Sequence, residues 1–175
     1  MNRLKIIKIQ IAIMFIAVFS FAQIVQASPI ASDNIINLTN QTRKQNKLNV
    51  LSVSPELTRA ASDKARDMVE KNYWSHQTKE GFPFWIFVKQ ENYHYQIIGE
   101  NLAADFKTSE GVMNGWYHSQ AHQQNMLNPN YQNIGVGTYQ NIVVAYYGKP
   151  APESILSTSK VSQFLINIKS FLGGR

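Results

Sequence analysis

Gly99-Glu100-Asn101-Leu102-Ala103 is the stretch that decides how this chain is read. It sets a carboxylate between a glycine, which frees the backbone, and an asparagine, whose side chain can lock a loop. A histidine stands on either side at comparable sequence distance. His76 ends Tyr73-Trp74-Ser75-His76, and His122 ends Trp116-Tyr117-His118-Ser119-Gln120-Ala121-His122. A fold that converges the three segments makes a cleft with two imidazoles and one carboxylate. Taken singly, each residue has a plainer reading, a packed histidine or a turn glutamate. His94 and His118 keep that plainer reading.

Downstream of the stretch, Thr108 and Ser109 are candidate N-caps for a helix carrying Val112, Met113, Trp116 and Tyr117 at three-and-four spacing. A second helical turn from His122 to Leu127 stops at Asn128-Pro129-Asn130. Ile134, Val136 and Thr138, then Ile142 to Tyr147, form two β-rich runs joined at Gln140-Asn141, the pattern of an antiparallel hairpin. Upstream, Phe82 to Val88 is apolar on all sides with Pro83 at an expected first helical position, which predicts a short buried helix, with a strand as the alternative.

The clearest helix precedes it, with Ser54 as N-cap, Pro55 at N1 and Glu56 in the first turn. Leu57, Ala60, Ala61, Ala65, Met68 and Val69 make one buried stripe, and its alanines allow another element to approach closely. Asn72 is the expected stop. Before this helix come a surface helix capped by Asp33 and an extended link, Leu48 to Val53, that delivers Leu51 and Val53 to the core.

The chain has 175 residues, enough for one domain with a core, and its 44% apolar and 16% charged composition excludes a largely disordered protein. It has no cysteine, which excludes thiolate nucleophiles, iron-sulfur clusters and disulfides. Arg3, Lys5 and Lys8, an apolar run from Ile11 to Ala22, and Val25-Gln26-Ala27 before Ser28 read as a secretory signal peptide cleaved after Ala27, with an uncleaved anchor helix as the rival. Cleavage removes those three basic residues and lowers the net charge from +6 to +3, which is no nucleic-acid footprint. Export without disulfides fits a bacterial envelope or the exterior of the cell. The expected organisation is a signal peptide (1–27), a folded domain (33–149), and a linker with an amphipathic C-terminal helix (150–175). That helix carries Val161, Phe164, Leu165, Ile168, Phe171 and Leu172, and it can dock on the domain or contact a membrane or another protein.

The motifs around Tyr73 to His76, Gly99 to Ala103, Trp116-x-x-Ser119-x-Ala121-His122-x-x-Asn125-Met126-Leu127 and Asn133-Ile134-Gly135-Val136-Gly137 resemble, in order and spacing, the CAP superfamily (cysteine-rich secretory, antigen 5 and pathogenesis-related proteins), and most of all its bacterial SCP-like extracellular branch. The resemblance covers roughly Ile35 to Gly148. It implies an α+β fold, a three-layer α-β-α sandwich with a small antiparallel sheet between helices and a cleft holding histidines and acids. His76 and Glu100 match the family's first histidine and first glutamate. The eukaryotic pattern has a second glutamate three residues after the tryptophan, where this chain has Ser119. His122 matches the histidine of the bacterial serine-proline-glycine-histidine motif, spelled Ser119-Gln120-Ala121-His122 here.

The candidate cleft residues are therefore His76, Glu100, His122 and Ser119, with Tyr73, Asn101 and Trp116 as ligand-contacting candidates. Two imidazoles and a carboxylate can form a first shell for zinc or another divalent ion, His76 and His122 being the tentative ligands. A Glu100-His pair can act as general base, and a Ser119-His122 nucleophile pair can be drawn without an assigned oxyanion hole. Three functions stay open: a secreted module binding a small apolar or envelope-derived ligand; a hydrolase of peptide or cell-wall bonds; and a structural envelope protein.

Overall fold

The computed structural model describes residues 30–152. The signal segment and the C-terminal amphipathic stripe lie outside the described residues. Nine elements follow one another: α1 (Ser32–Gln45), β1 (Ser52–Val53), α2 (Pro55–Glu70), α3 (Trp85–Gln90), β2 (Tyr95–Ala104), α4 (Ser109–Tyr117), α5 (Gln120–Met126), β3 (Asn133–Tyr139) and β4 (Ile142–Pro150).

The strands form one sheet in the order β1-β3-β4-β2. β4 pairs antiparallel with β2 and with β3, the latter through the expected two-residue turn at Gln140-Asn141; β1 adds a short parallel edge. Apolar side chains of β4 alternate between two cores. Ile142, Val144 and Tyr146 pack with Leu57, Ala61 and Met68 of α2 and with Val88 of α3. Val143, Ala145 and Tyr147 pack with Ile35 of α1 and with Val112 and Trp116 of α4. This double coverage explains why Ile142 to Tyr147 reads as an unbroken apolar run, and it gives the three-layer α-β-α sandwich.

The α2 stripe meets β3 at two glycines. A Cβ on Gly135 would lie 2.2 Å from the Leu57 carbonyl carbon, and one on Gly137 would lie 2.2 Å from Ser62 N, so only glycine lets helix backbone and strand backbone touch. Ser54 caps α2 as expected, its Oγ accepting from Leu57 N at 3.2 Å, and Asn72 ends it with a left-handed φ of 53°.

Four expectations need correction. Gly99 to Ala103 is not a loop but the middle of strand β2, and Gly99 does not adopt a left-handed φ. Val53 is 56% exposed, because β1 is a two-residue edge strand with no layer over that side chain. α3 starts at Trp85, not Pro83, since mutual bonds between Thr78 and Phe82 close a turn first; Phe82 and Trp85 remain exposed while Phe87 and Val88 turn inward. α1 starts one residue before Asp33, which sits in its first turn, where a carboxylate meets the positive end of the helix.

Candidate functional site

The site is built on β2, the last strand of the sheet. Alternation along a strand sends neighbouring side chains to opposite faces, so Glu100 and Asn101 part company. Glu100 stands opposite Tyr146 on the α2 face, and Asn101 stands opposite Ala145 on the other.

On the α2 face, Glu100 is 4% exposed, and His76 Nδ1 lies 2.6 Å from its Oε1. The histidine side chain itself is 59% exposed. Burial raises the Glu100 pKa against the opposing pull of the His76 bond and the Lys64 charge. The same bond to Glu100 raises the His76 pKa above its usual value. Tyr146 donates to Phe84 O at 3.3 Å, and its hydroxyl also lies close enough to the carboxylate for Glu100 to reinforce the effect of burial in holding the phenol neutral. Glu100 Oε2 has no hydrogen bond of good geometry among the described residues.

Sequence reading passes over Lys64, which is fully buried. Its ammonium donates to Tyr73 Oη and to Gln77 O, both at 3.2 Å, and lies 4.8 Å from the Tyr73 ring centroid. Tyr73 Oη in turn donates to Asp67 Oδ2 at 2.5 Å. These bonds fasten the loop after α2 back onto the helix and hold His76 over Glu100. Desolvation lowers the Lys64 pKa, and Glu100 works against that shift. The available signal was position: residue 64 continues the 57–60/61–65–68 stripe, so its lysine has to be buried.

On the opposite face, neutral amides do the holding. Asn101 Nδ2 donates to His122 O at 3.0 Å, while Asn125 Nδ2 donates to Asn101 Oδ1 at 2.9 Å and to Glu100 O at 3.0 Å. Trp116 Nε1 donates to Leu102 O at 2.9 Å. Gly99 provides room for this latch, since a Cβ there would meet Tyr131 Oη at 2.3 Å and Asn125 Oδ1 at 2.7 Å. The latch seats α5 beside β2 and brings His122 to the same hollow as His76. Burial and the nearby His76 both lower the His122 pKa, and its Nδ1 is buried without a hydrogen-bond partner among the described residues.

The result is a cleft of about 490 Å³ lined by Trp74, Ser75, His76, Gln77, Leu102 and His122. His76 and His122 are in its wall, and Glu100 lies directly behind His76. Tyr73 turns its hydroxyl toward Lys64 and Asp67. Asn101 and Trp116 are buried behind the strand, where they brace the cleft. Ser119 sits at the N-cap of α5 and makes no bond to His122, so the two do not form an activated nucleophile pair. The three-donor metal shell does not assemble either. Glu100 is committed to His76, and among the described residues no group of three or more His, Cys, Asp or Glu side chains is set to hold an ion. What the cleft does offer is two imidazoles whose proton affinities are pushed apart, that of His76 upward by its bond to Glu100 and that of His122 downward by burial.

Residues 36–147 match the model of the cysteine-rich secretory protein family, CAP. The Bacillus subtilis protein YkwD is 39% identical over 104 residues, covering 59% of this chain and 40% of that protein, so the match spans well under half of that relative. An extracellular protein containing an SCP domain from Bacillus anthracis superposes with a TM-score of 0.66 at 26% identity, over 67% of this chain and 40% of the other. An outer surface protein of Borrelia burgdorferi shares the fold with a TM-score of 0.62 at 20% identity, over 72% of this chain and all of the other. Among the described residues no helix is long and apolar enough to cross a membrane. With the family model matching well over half of its length, this cysteine-free chain belongs to the cysteine-rich secretory protein (CAP) family.

Proposed function

We propose that the chain is an exported binding protein whose His76–Glu100–His122 cleft holds a small envelope-derived ligand. The observation that carries this reading is the 2.6 Å contact between exposed His76 and buried Glu100. A buried carboxylate on Nδ1 fixes the ring and leaves Nε2 as its free hydrogen-bonding atom, a donor when the ring is charged. His122, whose proton affinity burial lowers, supplies an acceptor, and Leu102 and Trp74 supply apolar wall, which suits a ligand with an apolar body and a hydrogen-bonding end. Export is supported by the basic, apolar and small-residue segments that precede Ser28. The test is native mass spectrometry of the full chain after incubation with a lipid extract and a muropeptide digest of bacterial envelope. A mass retained by the wild type and lost from His76→Ala is the expected result. Equal retention by both, or none by either, overturns the reading.

The opposite pKa shifts of the two histidines, both in the wall of one cleft, favour one further reading, a hydrolase in which His122 takes a proton from water and His76 returns one to the leaving group. It predicts that incubation with the wild type produces a cleaved mass that is absent with His122→Ala. A retained but uncut ligand excludes it.

A further inference from the structure

A second hollow adjoins the histidine cleft. It measures about 650 Å³, within the range of small-ligand sites, and shares Trp74 with the cleft. Three chain ends surround it. The C-terminus of α2 brings Asn72, the end of β2 brings Asp105, and the β3–β4 turn brings Gln140 and Asn141. All but Asn141 have left-handed φ values, 53° at Asn72, 65° at Asp105 and 51° at Gln140. Asn141 Nδ2 donates to Asp105 Oδ1 at 2.6 Å and Asp105 N to Asn141 O at 3.1 Å, so two of the three corners are fastened together.

The chemistry of this hollow narrows its occupant. Among the described residues no lysine, arginine or histidine lines it, so they offer no cation to a phosphate or a nucleic-acid backbone. Met68, Val69, Ala104 and Ile142 give the hollow apolar wall, while Asn72, Asp105, Gln140 and Asn141 add polar groups that a lipid tail would leave unused, so the mixture suits a ligand with both hydroxyls and C–H faces. The side-chain amides of Asn72 and Gln140 have no hydrogen-bond partner among the described residues, and each offers both a donor and an acceptor. The Trp74 side chain has no hydrogen-bond partner among the described residues and is 53% exposed, so its flat apolar face is open to a ligand. Paired donors and acceptors beside a flat apolar ring complement a neutral polyhydroxylated ring, with its C–H face on the indole and its hydroxyls on the amides.

We propose that this cavity is a sugar-binding subsite, in which Trp74 stacks on a pyranose while Asn72, Gln140 and the Asp105–Asn141 pair bond its hydroxyls. It rests on the reading of the adjoining cleft as a ligand site and specifies the ligand as an uncharged glycan that crosses Trp74 toward His76.

Calorimetric titration of the full chain with chitotetraose and with cellotetraose tests it. Saturable binding of at least one tetrasaccharide is expected, weakened tenfold or more in Trp74→Ala and at least threefold in Asn72→Gly and in Gln140→Gly. Glycine tolerates the left-handed backbone at both positions, so these variants delete the side chains, amides included, without straining the turn. Trp85→Ala, remote from the cavity, should bind as the wild type does. Undiminished binding by the three variants overturns the subsite, as does absence of binding by the wild type to either tetrasaccharide. If binding is lost in His76→Ala but not in Trp74→Ala, the glycan lies in the histidine cleft; the sugar subsite then fails and the cleft reading stands. If neither tetrasaccharide binds while an envelope mass is still retained by the wild type and lost from His76→Ala, the subsite again fails alone.

Discussion

The two faces of β2 do different work with residues one position apart. On one, Glu100 is buried among ionisable groups, Lys64, His76 and Tyr146, and each changes the proton affinity of another. On the other, Asn101, Asn125 and Trp116 are neutral and hold position through hydrogen bonds to backbone and to each other. The contrast teaches that a five-residue motif can be one unit in sequence and two in mechanism. Damage to the neutral face should appear as lost stability, whereas damage to the ionisable face should appear in titration and binding.

The largest expected effect lies on the neutral face. Trp116→Ala removes a buried indole and leaves Leu102 O without its donor, and it should cost about 3–5 kcal/mol in urea unfolding. A loss below about 1 kcal/mol would mean that the latch is not what seats α4 and α5. Next comes Asn101→Leu, which keeps the heavy-atom count and branching and deletes both bonds to α5, with an expected cost of about 1–3 kcal/mol. It should also broaden or shift the His122 ring signals in NMR while leaving those of His76 in place. Movement of both rings would show that the faces are coupled through the strand.

On the ionisable face, a double-mutant cycle of Lys64→Met and Glu100→Gln isolates the attraction between two buried charges. Each single variant should lose more stability than its share of the double, with a coupling of about 1 kcal/mol. Zero coupling would reduce Lys64 to a packing residue. The smallest effect is the one with a sign. The raised pKa of His76 contributes stability that is fully present below its unfolded value of 6.5 and is lost as pH rises through the folded value. The lowered pKa of His122 does the reverse, giving stability present above 6.5 and lost as pH falls through its folded value. Subtracting the stability–pH curves of His76→Gln and of His122→Gln from that of the wild type should therefore give slopes of opposite sign between pH 5 and 8. Equal signs would remove the division of labour between the rings.

Much of the scaffold is legible in the sequence because periodicity and caps agree there. Ser54-Pro55-Glu56 opens α2, its alanine stripe meets the glycines of β3, and the run from Ile142 to Tyr147 is buried on both faces. The convergence of His76, Glu100 and His122 is legible through the ordered motifs. β2 is not, because it buries a carboxylate and an amide on successive residues, which destroys the apolar–polar alternation that marks a strand. Lys64 escapes for a related reason: a lysine is ordinarily a surface residue, and only its place in the stripe says otherwise. Trp116 invites a ligand reading as a lone aromatic in a motif, but its indole N–H is needed by a strand carbonyl.

The outer margin of β2 has a consequence beyond the cleft. The carbonyls of Glu100 and Leu102 point away from β4 and are taken by the Asn125 amide and the Trp116 indole. At the other border of the sheet, β1 is two residues long. With two outward carbonyls of β2 already engaged and the opposite border only two residues long, a protein built this way presents little free edge among the described residues for a second molecule to pair with.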